Sequence, residues 1–220
     1  MSHGRFIVFE GLDGAGTTTQ ARLLAERLQK QGRTVFLAHQ PSEGPVGLLI
    51  RQILAGRAAT TQADGKLGMV DERVMALLFA ADRLDHLDSL VLPALRSGSV
   101  VVSDRYDLSS LAYQSATAPE AHDVIPWIRE LNSRAVRPDV TVVIDVPAEV
   151  AEERRRGRGG VEEMFEHRAL QERLVAIYAH AETLVPGDRL VHVSGLGKAE
   201  EVSARILEAV LEAVPALRRH

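Results

Sequence analysis

Residues 6–20 read FIVFEGLDGAGTTTQ: a short apolar run, a cluster of glycines, then a segment of helix formers. Phe6 to Phe9 is too short for a buried helix and rich in β-forming side chains, so the order is strand, tight turn, helix. Gly11, Gly14 and Gly16 free the backbone for positive φ and for close approach to a ligand. Successive N–H groups can then converge at the positive end of the helix that follows. Such a nest binds phosphate. Beyond it, Thr18 to Gln31 carries Leu23, Leu24 and Leu28 on one face and stops at Gly32, and Thr34 to His39 reads as a second short strand. The unit is βαβ, which makes the strands parallel and the crossover right-handed.

The spacing from Gly11 to Gly16, with Thr17 and Thr18 next, is that of the phosphate-binding loop G-x-x-x-x-G-K-[ST], with one departure. Thr17 stands where the pattern has its lysine. Thr18 is then the hydroxyl expected to ligand Mg²⁺, and the source of the missing positive charge becomes the central question.

A chain of 220 residues suits one well-cored α/β domain, expected to span residues 1–220. It has no cysteine, which excludes disulfides, thiolate nucleophiles and cysteine-held metals. Its eight histidines are scattered without ligand spacing. A net charge of −4 argues against a general nucleic-acid coat protein. The opening residues run straight into the first strand and no apolar run approaches membrane-spanning length, so the expected location is the cytoplasm.

Further along, Pro41, Gly44, Pro45 and Gly47 punctuate a turn before a short helix through Ile50, Arg51, Ile53 and Leu54, and residues 55–68 read as a loop. A long helix is expected from Val70 to Ser97, with Val74, Leu77, Leu78, Ala81, Leu84, Leu87, Val91 and Leu95 as its core-facing stripe. Phe79 falls roughly 140° from Val74, with Arg83 one turn later on the same face. A ring and a guanidinium sharing that face suggest a pocket wall, where the ring stacks on a base.

Ser99 to Ser103 is the third strand, and Asp104-Arg105-Tyr106 sits at its carboxyl end, where open parallel sheets bind ligands. There Asp104 can hold Mg²⁺ or its water, and Arg105 can clamp phosphate. Ser109, Ser110, Tyr113 and Gln114 follow on one short helix. A helix over about Glu120 to Arg134 holds Trp127, read as packing, and Val140 to Val146 is a fourth, β-branched, interior strand. The next helix runs into the arginine-glycine stretch 154–160, suited to closing as a lid over a triphosphate. A helix over Val161 to Leu184, a strand over Arg189 to Val193 and a helix over Ala199 to Val214 complete the chain.

These segments together resemble the thymidylate kinase family of P-loop nucleoside monophosphate kinases over nearly the whole chain. The likeness is carried by Phe9 to Gly16, Leu78 to Arg83, Ser103 to Tyr106 with Ala112-Tyr113-Gln114, and Ile144-Asp145-Val146-Pro147 leading to the arginine run. It implies an α/β fold of the P-loop NTPase type, a five-stranded parallel sheet surrounded by helices, usually assembled as a homodimer. It implies transfer of the γ-phosphoryl of ATP to dTMP with Mg²⁺, for dTTP synthesis. By resemblance, Gly11, Leu12, Asp13, Gly14, Ala15, Gly16, Thr17, Thr18 and Thr19 bind ATP, while Thr18 and Asp104 serve the metal. Phe79 is the base-stacking ring and Arg83 its neighbouring contact. Tyr113 crowds the 2′ position, Ser110 and Gln114 match base-side positions, and Arg51 joins the substrate contacts. Asp13 holds the 3′-hydroxyl, and Arg105 lies between donor and acceptor phosphates.

Members of that family carry an extra arginine either in the loop or in the lid. Gly14 occupies the loop position here, so Arg154, Arg155, Arg156 and Arg158 resemble the lid type, within a lid at about 154–161. Arg158 is the first choice for the transition-state contact. The chain departs from the family at Thr17 and at His39-Gln40-Pro41, where Arg-Glu-Pro is common. The expectation is that the lid arginines compensate for the absent lysine. Two alternatives stand beside this reading: a kinase of another nucleotide, and a nucleotide binder with little catalysis.

Overall fold

The computed structural model describes residues 4–61, 65–117, 121–158 and 168–218, with the side chains of 121–123 and 158 excluded. A five-stranded, all-parallel sheet forms its centre. In chain order the sheet strands are β1 (Arg5–Gly11), β2 (Val35–His39), β5 (Val100–Asp104), β6 (Val140–Asp145) and β7 (Leu190–Ser194); in space they run β2-β5-β1-β6-β7. β1 therefore lies in the middle, hydrogen-bonded to β5 with Phe9 opposite Asp104 and to β6 with Gly11 opposite Ile144. Connections leave β1 toward one edge and return later on its other side. That makes its carboxyl end a topological switch point, the crevice where such sheets take ligands.

Successive side chains of a strand point to opposite faces, and β1 is apolar toward both. Ile7 and Phe9 join one core with Leu24 and Leu28 of α1 (Thr17–Lys30) and Ile206 and Val210 of α9 (Ala199–Ala213). Phe6 and Val8 join a second with Leu87, Val91 and Ala94. The remaining helices are α2 (Pro45–Leu54), α3 (Glu72–His86), α4 (Leu92–Arg96), α5 (Asp107–Thr117), α6 (Ala121–Leu131), α7 (Ala148–Arg158) and α8 (Arg168–Tyr178). Trp127 of α6 is partly buried against the first core, in keeping with a packing role.

Three expectations about the chain need correction. Within residues 55–68, a short antiparallel ribbon pairs β3 (Thr60–Thr61) with β4 (Leu67–Gly68). The helix expected over 161–184 is seen as α8 followed by a 3-10 turn at Ala181–Thr183, while 161–167 lie outside the described residues. The long helix over 70–97 begins at Glu72, ends at Arg96 and is interrupted by a π-helical turn at Leu87–Val91.

Over α3 the expected apolar stripe is reversed. Val74, Leu77, Ala81 and Leu84 are exposed, whereas Met75, Ala76, Ala80, Arg83 and His86 are buried; beyond the turn, Leu87 and Val91 are buried as expected. At about 100° per residue the buried Ala76, Ala80, Arg83, Leu87 and Val91 fall on one face and Val74, Leu77, Ala81 and Leu84 on the next, so the helix turns its more polar face inward. α3 accordingly buries Met75 with Ile50 and Ile53 of α2, and Phe79 packs against that cluster.

Candidate active site

The loop between β1 and α1 is shaped by its neighbours as much as by its own sequence. Gly16 caps α1 in a left-handed conformation, φ 99°, and no side chain caps the helix. Its first-turn N–H groups are thus left for a ligand, at the end where the helix dipole favours an anion. Gly14 has φ 90°, and a Cβ there would lie 2.3 Å from the carbonyl oxygen of Ala151 on α7. No side chain fits. An arginine could not stand in the loop at this position, which gives a physical reason for its supply from elsewhere. Leu12 and Ala15 are buried in the core, Thr17 is buried at the start of α1, and Thr18 and Thr19 are exposed. Thr18 Oγ1 donates to Asp104 Oδ2, while Asp104 Oδ1 is buried without a partner among the described residues.

Arg105 follows β5 directly and is the only non-glycine residue with positive φ, 74°, among those described. A side-chain-bearing residue pays roughly 1–3 kcal/mol for such a backbone, and here the strain aims the guanidinium. It donates to Gly11 O, to Asp13 Oδ1 at 2.5 Å, and to the hydroxyls of Ser109 and Tyr178, each at 3.3 Å. Its carbon lies 5.6 Å from the Tyr113 ring centre. Burial opposes the charge of Arg105, yet Tyr113, Asp13, Tyr178 and Glu10 together hold its pKa well above the usual value.

Glu10 anchors this arrangement, and the sequence reading overlooked it. Its carboxylate is wholly buried and accepts from Tyr106 N at 2.8 Å, Ser109 N at 3.1 Å, Ser109 Oγ at 2.6 Å and Tyr178 OH at 3.1 Å. An oxygen lies 3.8 Å from Arg105. Burial pushes its pKa up, against the pull of Arg105 and the hydrogen bonds. A signal was present: a carboxylate set between Phe9 and Gly11 in an otherwise apolar strand must find donors inside the protein.

Beside Arg105 opens a cavity of about 560 Å³, lined among others by Asp13, Phe79, Arg83, Ser110, Tyr113 and Gln114. Its volume falls in the range of small-ligand sites. Arg83 is buried in the wall and donates to Gln40 Oε1 at 3.0 Å, Tyr106 O at 3.1 Å, Ser110 Oγ at 3.1 Å and Asn132 Oδ1. All four partners are neutral, and burial lowers its pKa. Asn132 is a further residue of the wall that no local motif marked, and Gln40, noted in the sequence only as part of a departure from Arg-Glu-Pro, is another; Gln40 Nε2 is itself buried without a partner among the described residues.

Of the other expected residues, Arg51 donates to Pro41 O at 2.7 Å, Ser42 O at 2.6 Å and Glu43 Oε2 at 3.0 Å, holding the turn behind the cavity rather than lining it. Arg154 and Arg155 of α7 reach the loop, at Ala15 O (3.2 Å) and Asp13 O (2.6 Å). Arg156 turns away to pair with Glu152. The side chain of Arg158 and the lid residues beyond it lie outside the described residues.

A family model for thymidylate kinase matches residues 9–206, a span that includes the loop, the cavity and α7. The chain belongs to the thymidylate kinase family. It is 40% identical over 189 residues to a probable thymidylate kinase of Thermococcus gammatolerans, covering 86% of this chain and 88% of that protein. A probable thymidylate kinase of Pyrococcus abyssi is 37% identical over 207 residues, 94% of this chain and 96% of its own length. The thymidylate kinase of Pelobacter propionicus is 34% identical over 220 residues, covering 95% and 94% respectively. The five-stranded parallel sheet agrees with the architecture that the resemblance implied.

Proposed function

We propose that this protein is a dTMP kinase: a non-bridging oxygen of the dTMP phosphate attacks the γ-phosphorus of ATP, the bond to the β,γ-bridging oxygen breaks, and dTDP and ADP leave. The observation that carries the proposal is the position of Arg105, held between the phosphate loop and the cavity through Gly11 O and Asp13. A cation at that junction faces both phosphates at once. Little covalent chemistry is asked of a protein in phosphoryl transfer, so positioning and charge neutralisation supply the rate.

In this reading residues 11–19 cradle the ATP phosphates. Phe79 stacks on the thymine, Arg83 with Ser110 and Gln114 meets its polar edge, Tyr113 excludes a 2′-hydroxyl, and Asp13 holds the 3′-hydroxyl. Arg51 acts by holding the turn at Pro41–Ser42. Arg154 and Arg158 belong to the lid; Arg156 joins them only by leaving Glu152. Thr18 and Asp104 fit Mg²⁺, since a buried carboxylate oxygen without a partner suits a cation or its water. The metal would supply neutralisation of the β- and γ-phosphate charge.

The same reading makes the chain a single domain in the cytoplasm and a homodimer. Support for the dimer comes from α3, where exposed Val74, Leu77, Ala81 and Leu84 recur at the three- and four-residue spacing of a helix-packing seam. Among the described residues, no helix is long and apolar enough to cross a membrane.

The test is conversion of dTMP to dTDP with ATP and Mg²⁺, run beside dUMP, UMP and deoxynucleosides. Turnover strongest with dTMP is expected. Equal turnover of UMP would remove the assigned specificity, and no turnover of any acceptor would remove the kinase assignment. Sedimentation of wild type and Leu77→Glu tests the dimer: a shift from dimer to monomer is expected.

A further inference from the structure

Alternate carbonyl oxygens of the phosphate loop each accept from an arginine that the loop does not contain: Gly11 from Arg105, Asp13 from Arg155 and Ala15 from Arg154. The three guanidinium groups differ in how their charge is used. That of Arg105 is shared with Asp13 and Glu10. Among the described residues, neither Arg154 nor Arg155 pairs with a carboxylate, whereas neighbouring Arg156 pairs with Glu152. Arg154 is tied at both ends, to Ala15 O and to Gly195 O at 2.9 Å. The Arg155 contacts are Asp13 O at 2.6 Å and, at 3.3 Å, the amide oxygen of Gln171 on α8.

We propose that Arg155, reaching the loop from α7, supplies the positive charge that the phosphate-loop pattern places at position 17. The inference rests on the nucleotide reading given above. Three observations converge on it: Thr17 carries no charge and is buried; Gly14 leaves no room for a side chain because the Ala151 carbonyl fills the space; and the same helix that closes this space brings onto the loop a guanidinium that pairs with no carboxylate among the described residues. The loop lysine contributes a cation near the β- and γ-phosphates rather than a bond, so its place in the chain is free as long as its place in space is kept. A guanidinium also keeps its charge at every working pH and offers several donors to phosphate oxygens.

Direct binding of ATP, ADP and AMP with Mg²⁺, measured by calorimetry without acceptor, is the test. Arg155→Ala is expected to weaken ATP at least tenfold and AMP less than twofold, because AMP lacks the β- and γ-phosphates. Thr17→Lys should then strengthen ATP binding at least tenfold more in the Arg155→Ala background than in wild type, since one cation substitutes for the other. Equal losses for ATP and AMP, or the same gain from Thr17→Lys in both backgrounds, would overturn the proposal and leave Arg155 as a brace for the Asp13 carbonyl. Should lysine at the buried position 17 prevent folding, Arg155→Lys and Arg155→Gln decide instead: retained ATP binding in the first and loss in the second are expected, and equal behaviour refutes it. Wild-type turnover of dTMP, followed in parallel, separates the two claims. Failure of turnover with the phosphate-dependent loss intact removes the acceptor assignment alone.

Discussion

The cavity wall around Arg83 and the loop around Gly14 both present positive charge to a ligand, but they are built in opposite ways. Arg83 is buried and fixed by neutral hydrogen-bond partners drawn from β2's end, α5 and the end of α6, so its guanidinium is held in place without a direct ion pair among the described residues. The loop owns no cation; its charge comes from Arg105 after β5 and from Arg154 and Arg155 on α7. One half of the site is a finished wall, and the other is assembled from elements that must stay docked. Changes to the wall should therefore alter acceptor binding, and changes to the docking should alter ATP.

Arg105 belongs to both halves, and its loss is expected to have the largest effect. Arg105→Ala should lower kcat/KM for both substrates by about 10³ or more, about 4 kcal/mol of transition-state stabilisation. Steady-state kinetics check this, and a loss confined to one substrate would sever the two halves. Arg83→Met should raise the KM for dTMP by up to about 10², from hydrogen bonds to a charged group worth about 1.5–3 kcal/mol, while the KM for ATP holds. A matching rise for ATP would show that the wall and the loop are one unit.

Gly14→Ala makes the complementary break. Positive φ and the contact with Ala151 should together cost about 2 kcal/mol, lowering the melting temperature by roughly 4–8 °C and weakening ATP more than dTMP. Calorimetric melting and binding read both effects.

Much of the fold was legible because β1, the loop and α1 are local in sequence, and five apolar runs at suitable intervals mark the strands. The pairing of Phe79 with Arg83 was legible as well, since helical periodicity places them on one face. The roles of Gln40, Asn132 and Tyr178 were not: each acts through a partner 43 to 168 residues away, as in Arg83–Gln40 and Tyr178–Glu10, and no spacing rule spans that distance. The α3 stripe misled for a different reason. Apolar residues such as Leu77 and Leu84 were assigned to the core, while the face turned inward carries the site's own polar residues.

The smallest expected effect lies outside both halves. His192 on β7 contacts Asp145 at 3.0 Å and Glu182 at 3.1 Å, and the hydrogen bond to Asp145 raises its pKa above 6.5. A raised folded-state pKa stabilises the protein below the unfolded value, and the benefit fades as pH rises through the folded one. Partly exposed, the cluster should contribute under about 1 kcal/mol. Denaturation of wild type and His192→Gln should differ at pH 5.5 and converge by pH 8.5; a constant difference would assign the contribution to packing.

The π turn at Leu87–Val91 makes the site sensitive to chain length at a distance. Each residue of an α-helix turns it by about 100°, so a one-residue deletion within the turn would restore regular winding and rotate the preceding segment by about that angle. Phe79 and Arg83 would swing off the cavity wall, and the exposed Val74–Leu84 seam would roll toward the interior. A single codon lost there would blind the pocket while leaving every site residue in the gene.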